Sequence, residues 1–316
     1  MHLLHGPSRD RAAESHPLPF LSTRFNMIES RSPGRPQSGS VTVSGHVGGD
    51  ERPVVIALHC SGADGSQWRK LPAALAPGFA FQAPDFIGTD RWIAWHGRRA
   101  FTLADEAELV IAIIDASRGP VHLIGHSYGG AVAMRVAAAR PACIASLSLY
   151  EPSAFYLLRD LGSRGAIELA EIERIVRSVV RGLVSGAYIE AAATFVNYWN
   201  GDGAWGALRD DVRAALLRWL PHAALQFHAL LSETTSLVQM GLSCPVLVMR
   251  GEHALGPSRL LAETISRALS DRPALCIAGA GHMGPVTHAD AVNACIASHL
   301  AKAAVVESRC VSRDAA

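Results

Sequence analysis

Lysine is nearly missing from this chain: of 29 basic residues only Lys70 and Lys302 are lysine, and the rest are arginine. With so much alanine beside it, this bias reads as coding preference and carries no functional weight. Charge of one sign is missing too. The 29 basic residues meet 28 acidic ones for a formal net charge of +1, which leaves no electrostatic reason to expect nucleic acid or an anionic membrane as a partner. No run of about 18 apolar residues occurs, so no membrane span is expected. The N-terminal stretch is broken by His5, Pro7, Arg9, Asp10, Pro17 and Pro19, so it forms no apolar signal-peptide core. Cys60, Cys143, Cys244, Cys276, Cys295 and Cys310 show no CxxC spacing and no zinc-like Cys/His cluster. Reduced thiols in a cytoplasmic protein, with no metal, are the expectation. A GxxxxGK[ST] phosphate loop is absent, and no cofactor is expected.

Hydrophobic residues are plentiful, at 49% of 316, enough for a sizeable core. Pro53 to Leu58, Phe79 to Ala83, Val121 to Gly125, Ile144 to Tyr150, Pro245 to Met249 and Ala274 to Ala278 are short apolar runs of strand character. Residues 103–117, 128–139, 258–269 and 288–301 have helical spacing. Strands alternating with helices predict an α/β fold, a mostly parallel central sheet with helices on both faces. The alternation stops between about 152 and 240. There Ile172, Ile175, Val176, Val179, Val180 and Leu183 form one helical stripe, and Phe195, Tyr198, Trp199, Trp205, Trp219 and Phe227 supply many of the aromatics. The expected organisation is a flexible leader over 1–40, with Met27 a second candidate start. A core over 41–151 and 241–302, an inserted helical cap over 152–240 and a tail over 303–316 complete it.

Gly125-His126-Ser127-Tyr128-Gly129 lies between an apolar strand and a small-residue helix. That context turns a weak G-x-S-x-G pattern into a nucleophile elbow. A serine on so sharp a turn has strained backbone geometry, and glycines two positions away permit the close approach. Its Oγ is then exposed at a helix N-terminus, where N–H groups and the helix dipole favour developing negative charge.

Together with LHCSGADGSQW (58–68), APDFIGTD (83–90), SLYEP (148–152), CPVLVMRGEH (244–253) and GAGHMGP (279–285), this elbow resembles the α/β-hydrolase fold family over about residues 41–302. The resemblance implies a serine-esterase-like branch with a helical cap and a catalytic triad. It makes Ser127 the nucleophile and His282, on the loop after the last strand, the general base. His126 is expected to support the elbow, His122 to sit in its strand and His288 to start a helix. The oxyanion hole would use the N–H of Tyr128 and that of Ser61. Cys60 stands where the family usually has glycine, and no helix N-terminus or paired histidine makes it a rival nucleophile.

The acid departs from the common pattern. The family's aspartate position, three residues after Gly251, is Ala254, which cannot accept a hydrogen bond from imidazole. Glu151 closes the strand next to the elbow strand, an acid position used by some branches of the family. It is preferred over Glu252, while Asp85 reads as loop structure. The expected activity is hydrolysis of a small or medium carboxylic ester, thioester or lactone with a hydrophobic part. Water would release the acid from an acyl-enzyme on Ser127. Two alternatives stay open: a C–C bond hydrolase with the same Ser and His, and a low-turnover ligand-binding protein on a hydrolase scaffold.

Overall fold

The computed structural model describes residues 52–89, 95 and 97–314, with side chains as far as Ala303. The expected leader and Met27 lie outside the described residues. Each expected apolar run holds most or all of a strand, with β3 and β5 running one and two residues further: β1 (Val54–Leu58), β2 (Ala80–Gln82), β3 (Val121–His126), β4 (Ile144–Tyr150), β5 (Val246–Gly251) and β6 (Leu275–Ile277). They form one six-stranded sheet in the order β2-β1-β3-β4-β5-β6. Every pairing among the described residues is parallel. Parallel strands covered on both faces need no polar alternation, which is why β1 reads VVIAL and is buried throughout.

Helices cover both faces. α1 (Leu103–Ala116), α2 (Tyr128–Ala139) and α7 (Gly256–Ser270) pack on the side of Ile56, Leu123 and Leu149. The longest helix, α9 (Ala289–Asp314), packs Val292, Ile296 and Leu300 on the side of Val55, Ile124 and Met249. The small α8 (Gly284–Thr287) precedes it. α9 runs through the stretch expected as a tail. Residues 301–308, AKAAVVES, contain no glycine or proline to end a helix.

Between β4 and β5 the chain forms α3 (Gly162–Ser185), α4 (Tyr188–Asn200), α5 (Ala204–Ala207) and α6 (Asp210–Ser232). The α3 stripe buries Ile172, Ile175 and Val179, and Gly186, at φ 78°, ends the helix in the left-handed conformation.

The strand order sets the location of the site. From β1 the chain passes outward to β2 and then crosses to the other flank of β1 as β3. The crevice between the carboxyl ends of β1 and β3 is thus a topological switch point, where open α/β sheets bind ligands. Ser61 follows β1 and Ser127 follows β3.

Candidate active site

Ser127 has φ 53° and ψ −115°, a conformation that L-residues avoid. Three main-chain hydrogen bonds hold it there. Its N–H donates to the Tyr150 carbonyl at 3.0 Å, its carbonyl accepts from Ser153 N–H at 3.0 Å, and Gly129 N–H donates to the His59 carbonyl at 3.1 Å. The flanking glycines are required by space. A Cβ at Gly125 would lie 2.4 Å from the Gly129 carbonyl oxygen, and one at Gly129 would lie 2.4 Å from that of His59.

Register brings Glu151 alongside. His126 pairs with Tyr150, so the residues after the two strands, Ser127 and Glu151, emerge side by side. Glu151 also has positive φ, 41°, and is fully buried. One carboxylate oxygen accepts Gly251 N–H at 2.9 Å. The other lies 2.7 Å from His282 Nδ1. His282 Nε2 lies 3.0 Å from Ser127 Oγ. A carboxylate only accepts, so Nδ1 carries the proton and Nε2 is left to accept from the serine hydroxyl.

The histidine loop is held from below by its neighbours. His126 Nε2–H donates to the His282 carbonyl at 2.8 Å, and Tyr150 O–H donates to the Gly281 carbonyl at 2.8 Å. Burial and the nearby His282 ring push the His126 pKa well below its ordinary value, which keeps that ring neutral. Glu252 is exposed and accepts Gly279 N–H at 2.8 Å, so it fastens the start of the loop and its carboxylate does not meet the imidazole. Ala254 is buried. His122 sits in β3 with its ring on the Ser146 hydroxyl, and His288 lies between α8 and α9.

In the loop after β1, where the oxyanion donor Ser61 was expected, Cys60 N–H donates to Gln67 Oε1 at 3.1 Å. Among the described residues no protein acceptor takes Ser61 N–H or Tyr128 N–H. His59 donates from Nδ1 to the Cys60 carbonyl at 2.8 Å and accepts Phe86 N–H on Nε2 at 3.2 Å, pinning the loop. Burial pushes the Cys60 thiol up to about 12, so it stays protonated and a poor nucleophile. Asp85 accepts Gly65 N–H at 2.8 Å, a loop contact.

Other contacts were not anticipated from the sequence. Ser153 Oγ lies 3.0 Å from Ser127 Oγ. Tyr128 O–H donates to Glu106 at 2.8 Å, and the same carboxyl accepts Ile87 N–H at 2.8 Å. Burial pushes Glu106 up to about 7 against those hydrogen bonds. From α6, Gln226 Oε1 accepts the Ser61 hydroxyl at 2.7 Å. From α4, the Trp199 ring stacks on His282 with centroids 4.2 Å apart and planes 25° apart. Phe155 stacks on Trp199 in turn at 6.3 Å and 9°. Ser153 had a faint signal in its place directly after Glu-Pro. Gln226 and Glu106 sit in helical runs where nothing distinguishes them. The aromatics of the insert were visible in the sequence, but their targets were not.

Among the described residues no group of three or more His, Cys, Asp or Glu side chains could hold a metal ion. No helix among them is long and apolar enough to cross a membrane.

Comparison with known proteins bears on the fold. Lipase LipV of Mycobacterium tuberculosis is 37% identical over 102 residues, which is 31% of this chain and 37% of that protein. The chain therefore aligns with little more than a third of that relative's length. A hydrolase from Pseudomonas aeruginosa PA01 superposes with a TM-score of 0.61 at 24% identity, covering 80% of this chain and 91% of that one. Carboxylesterase CesB of Bacillus subtilis superposes at 0.59 with 20% identity, over 80% and 85% of the two chains. At these identities the superpositions speak for the fold. Residues 55–294 match the model of the alpha/beta hydrolase family, and the chain belongs to that family.

Proposed function

We propose that the protein is a serine hydrolase that cleaves a small or medium carboxylic ester, thioester or lactone through an acyl-enzyme on Ser127. The observation that carries this reading is the continuous hydrogen-bond relay from Ser127 Oγ through His282 to Glu151, with spacings of 3.0 and 2.7 Å. His282 takes the Ser127 proton as the serine oxygen bonds to the acyl carbon. Glu151 holds the productive tautomer and stabilises the imidazolium. The carbonyl electron pair moves to oxygen, where Ser61 N–H and Tyr128 N–H receive it. Collapse expels the alcohol or thiol, which takes its proton from His282. Water then repeats the sequence and frees the acid. This chemistry requires no cofactor.

The names of LipV and CesB point the same way. Trp199, Phe155 and Trp219 favour a substrate with an apolar part. The alternative of a low-turnover binding protein rested on the alanine at 254, and the contact between Glu151 and His282 supports the hydrolase reading over it. A cytoplasmic setting is part of the proposal. It is supported by the free thiols of Cys60, Cys143, Cys244, Cys276 and Cys295.

The test is hydrolysis of p-nitrophenyl acetate and butyrate by wild type and Ser127→Ala. Wild type should turn over with a burst of nitrophenol, and Ser127→Ala should lose both burst and turnover. Turnover that survives Ser127→Ala sinks the acyl-enzyme.

A further inference from the structure

We propose that Ser153 is a second catalytic hydroxyl, a hydrogen-bond donor to the nucleophile oxygen during the moments when that oxygen lacks its proton. The inference rests on the acyl-transfer reading above and adds a residue to it.

The direction of the Ser153–Ser127 hydrogen bond follows from proton accounting. Glu151 takes the Nδ1 proton of His282, so Nε2 must accept, and the one hydroxyl proton of Ser127 is committed to it. Ser127 Oγ can then only accept from Ser153 Oγ, 3.0 Å away. Among the described residues the Ser153 hydroxyl has no other acceptor. The chain of donors runs Ser153, Ser127, His282, Glu151.

The backbone makes this contact fixed. Glu151 at φ 41° turns the chain back, Ser153 N–H caps the Ser127 carbonyl at 3.0 Å, and the Ser153 carbonyl accepts Phe155 N–H at 2.8 Å. Ser153 is 4% exposed, so water is largely kept from substituting for it. Strain at Glu151 is thus coupled to two contacts at once, the acid to His282 and the hydroxyl to Ser127.

In the resting state this is an ordinary bond between neutral hydroxyls. As the Ser127 proton passes to His282, the oxygen becomes alkoxide-like until its electron pair forms the bond to the acyl carbon. A hydrogen bond to a charged acceptor is about twice as strong as one to a neutral acceptor, so the gain is larger at the barrier than before it. The same holds in reverse during deacylation. There the bond from the acyl carbon to Ser127 Oγ breaks, its electron pair returns to oxygen, and the proton returns from His282. Ser153 keeps its own proton throughout.

The experiment compares wild type, Ser153→Ala and Ser153→Cys, each checked for thermal stability. One assay is the rate of Ser127 labelling by a fluorophosphonate, with Ser127→Ala as the control. The other is the burst and steady-state rates with p-nitrophenyl butyrate. Ser153→Ala should slow labelling, burst and steady state each by ten- to a hundredfold, with KM little changed. The thiol, a weaker donor, should put Ser153→Cys in between. A role in shape alone predicts Ser153→Cys near wild type, because cysteine fills the site that alanine leaves partly empty; rates well below wild type in a Ser153→Cys variant of unchanged thermal stability therefore report the weakened donor. Wild-type turnover with all rates within twofold in Ser153→Ala overturns the inference and leaves the esterase reading standing. Absent ester turnover with labelling that still depends on Ser153 does the opposite.

Discussion

Replacing Glu151 with glutamine changes one atom, and the structure makes the consequence sharp. The two carboxylate oxygens of Glu151 both accept, one from Gly251 N–H at 2.9 Å and one from His282 Nδ1–H at 2.7 Å. Glutamine has one oxygen and one NH2. With its oxygen toward His282, the NH2 meets the Gly251 N–H, donor against donor, in a site with no exposure to water. A buried polar group left so costs about 1–3 kcal/mol. With its NH2 toward His282, the imidazole must shift its proton to Nε2 and can no longer accept from Ser127. Either orientation also removes the negative charge that stabilises the imidazolium. Loss of the correct tautomer in a serine triad costs about 10⁴ in kcat, equivalent to about 5 kcal/mol at the barrier. The expected loss for Glu151→Gln is therefore about 10³ to 10⁴ in kcat/KM for p-nitrophenyl butyrate, with the fold retained by circular dichroism. Glu252→Gln is the matched control. Its side-chain oxygen can still accept Gly279 N–H, so activity should stay within about threefold of wild type. Retention of more than a tenth of wild-type activity in Glu151→Gln refutes the argument. So does an equal loss in Glu252→Gln.

Two further predictions follow from the contacts around the site. Gln226→Met removes the acceptor of the Ser61 hydroxyl and should lower kcat about tenfold with KM little changed, less than the roughly 10²–10³ lost with a whole oxyanion donor. Adding Ser61→Ala to that variant should cost nothing more; an additive loss in the double-mutant cycle rules out the pairing. Burial raises the Glu106 carboxyl from the 4.5 of a free side chain to about 7, so between these values the unfolded chain has released a proton that the folded chain still holds. Stability is fully supported below about pH 4.5 and falls as pH rises through 7, by about 3 kcal/mol in all. Glu106→Gln mimics the protonated form and should remove that slope in urea unfolding followed from pH 5 to 8. An unchanged slope means Glu106 is not its source.

The strands and helices of the core were legible because burial on both faces writes short continuous apolar runs, and the α3 stripe because helical burial has its own period. Ser127 was legible because its corner demands glycine on both sides, and those glycines are seen against the His59 and Gly129 carbonyls. The extension of α9 was missed where the apolar rhythm fades but helix-forming residues continue. The contacts of Ser153, Gln226 and Glu106 could not be read from spacing. Each depends on where a side chain from one element lands on another, and a serine, a glutamine or a glutamate on a helix or turn has many ordinary uses. Trp199 shows the same limit from the other side: its presence in the insert was plain, yet its seat on the His282 ring follows only from how α4 packs.

The choice between the two glutamates is a matter of which backbone carries them. Ser127 N–H bonds to the Tyr150 carbonyl and Glu151 N–H bonds to the Met249 carbonyl, so the ladder that pairs β3, β4 and β5 continues one step past the strand ends. The proposed nucleophile and acid are consecutive rungs of that ladder, and Gly251, which holds the second carboxylate oxygen, ends β5. A relay built this way is positioned by the sheet, and strand-borne groups are held more closely than loop-borne ones. An acid at position 254 would instead stand beyond the end of β5, in the short link to α7. The cost of the arrangement is the positive φ of Glu151, on the order of 1–3 kcal/mol. That strain persists because the chain on either side is fixed, by the β4 ladder before it and by the Ser153 contacts after it. Any displacement of β4 would then move acid, Ser153 and the backbone support of Ser127 together. Geometry within the relay should accordingly be preserved, or lost, as a unit.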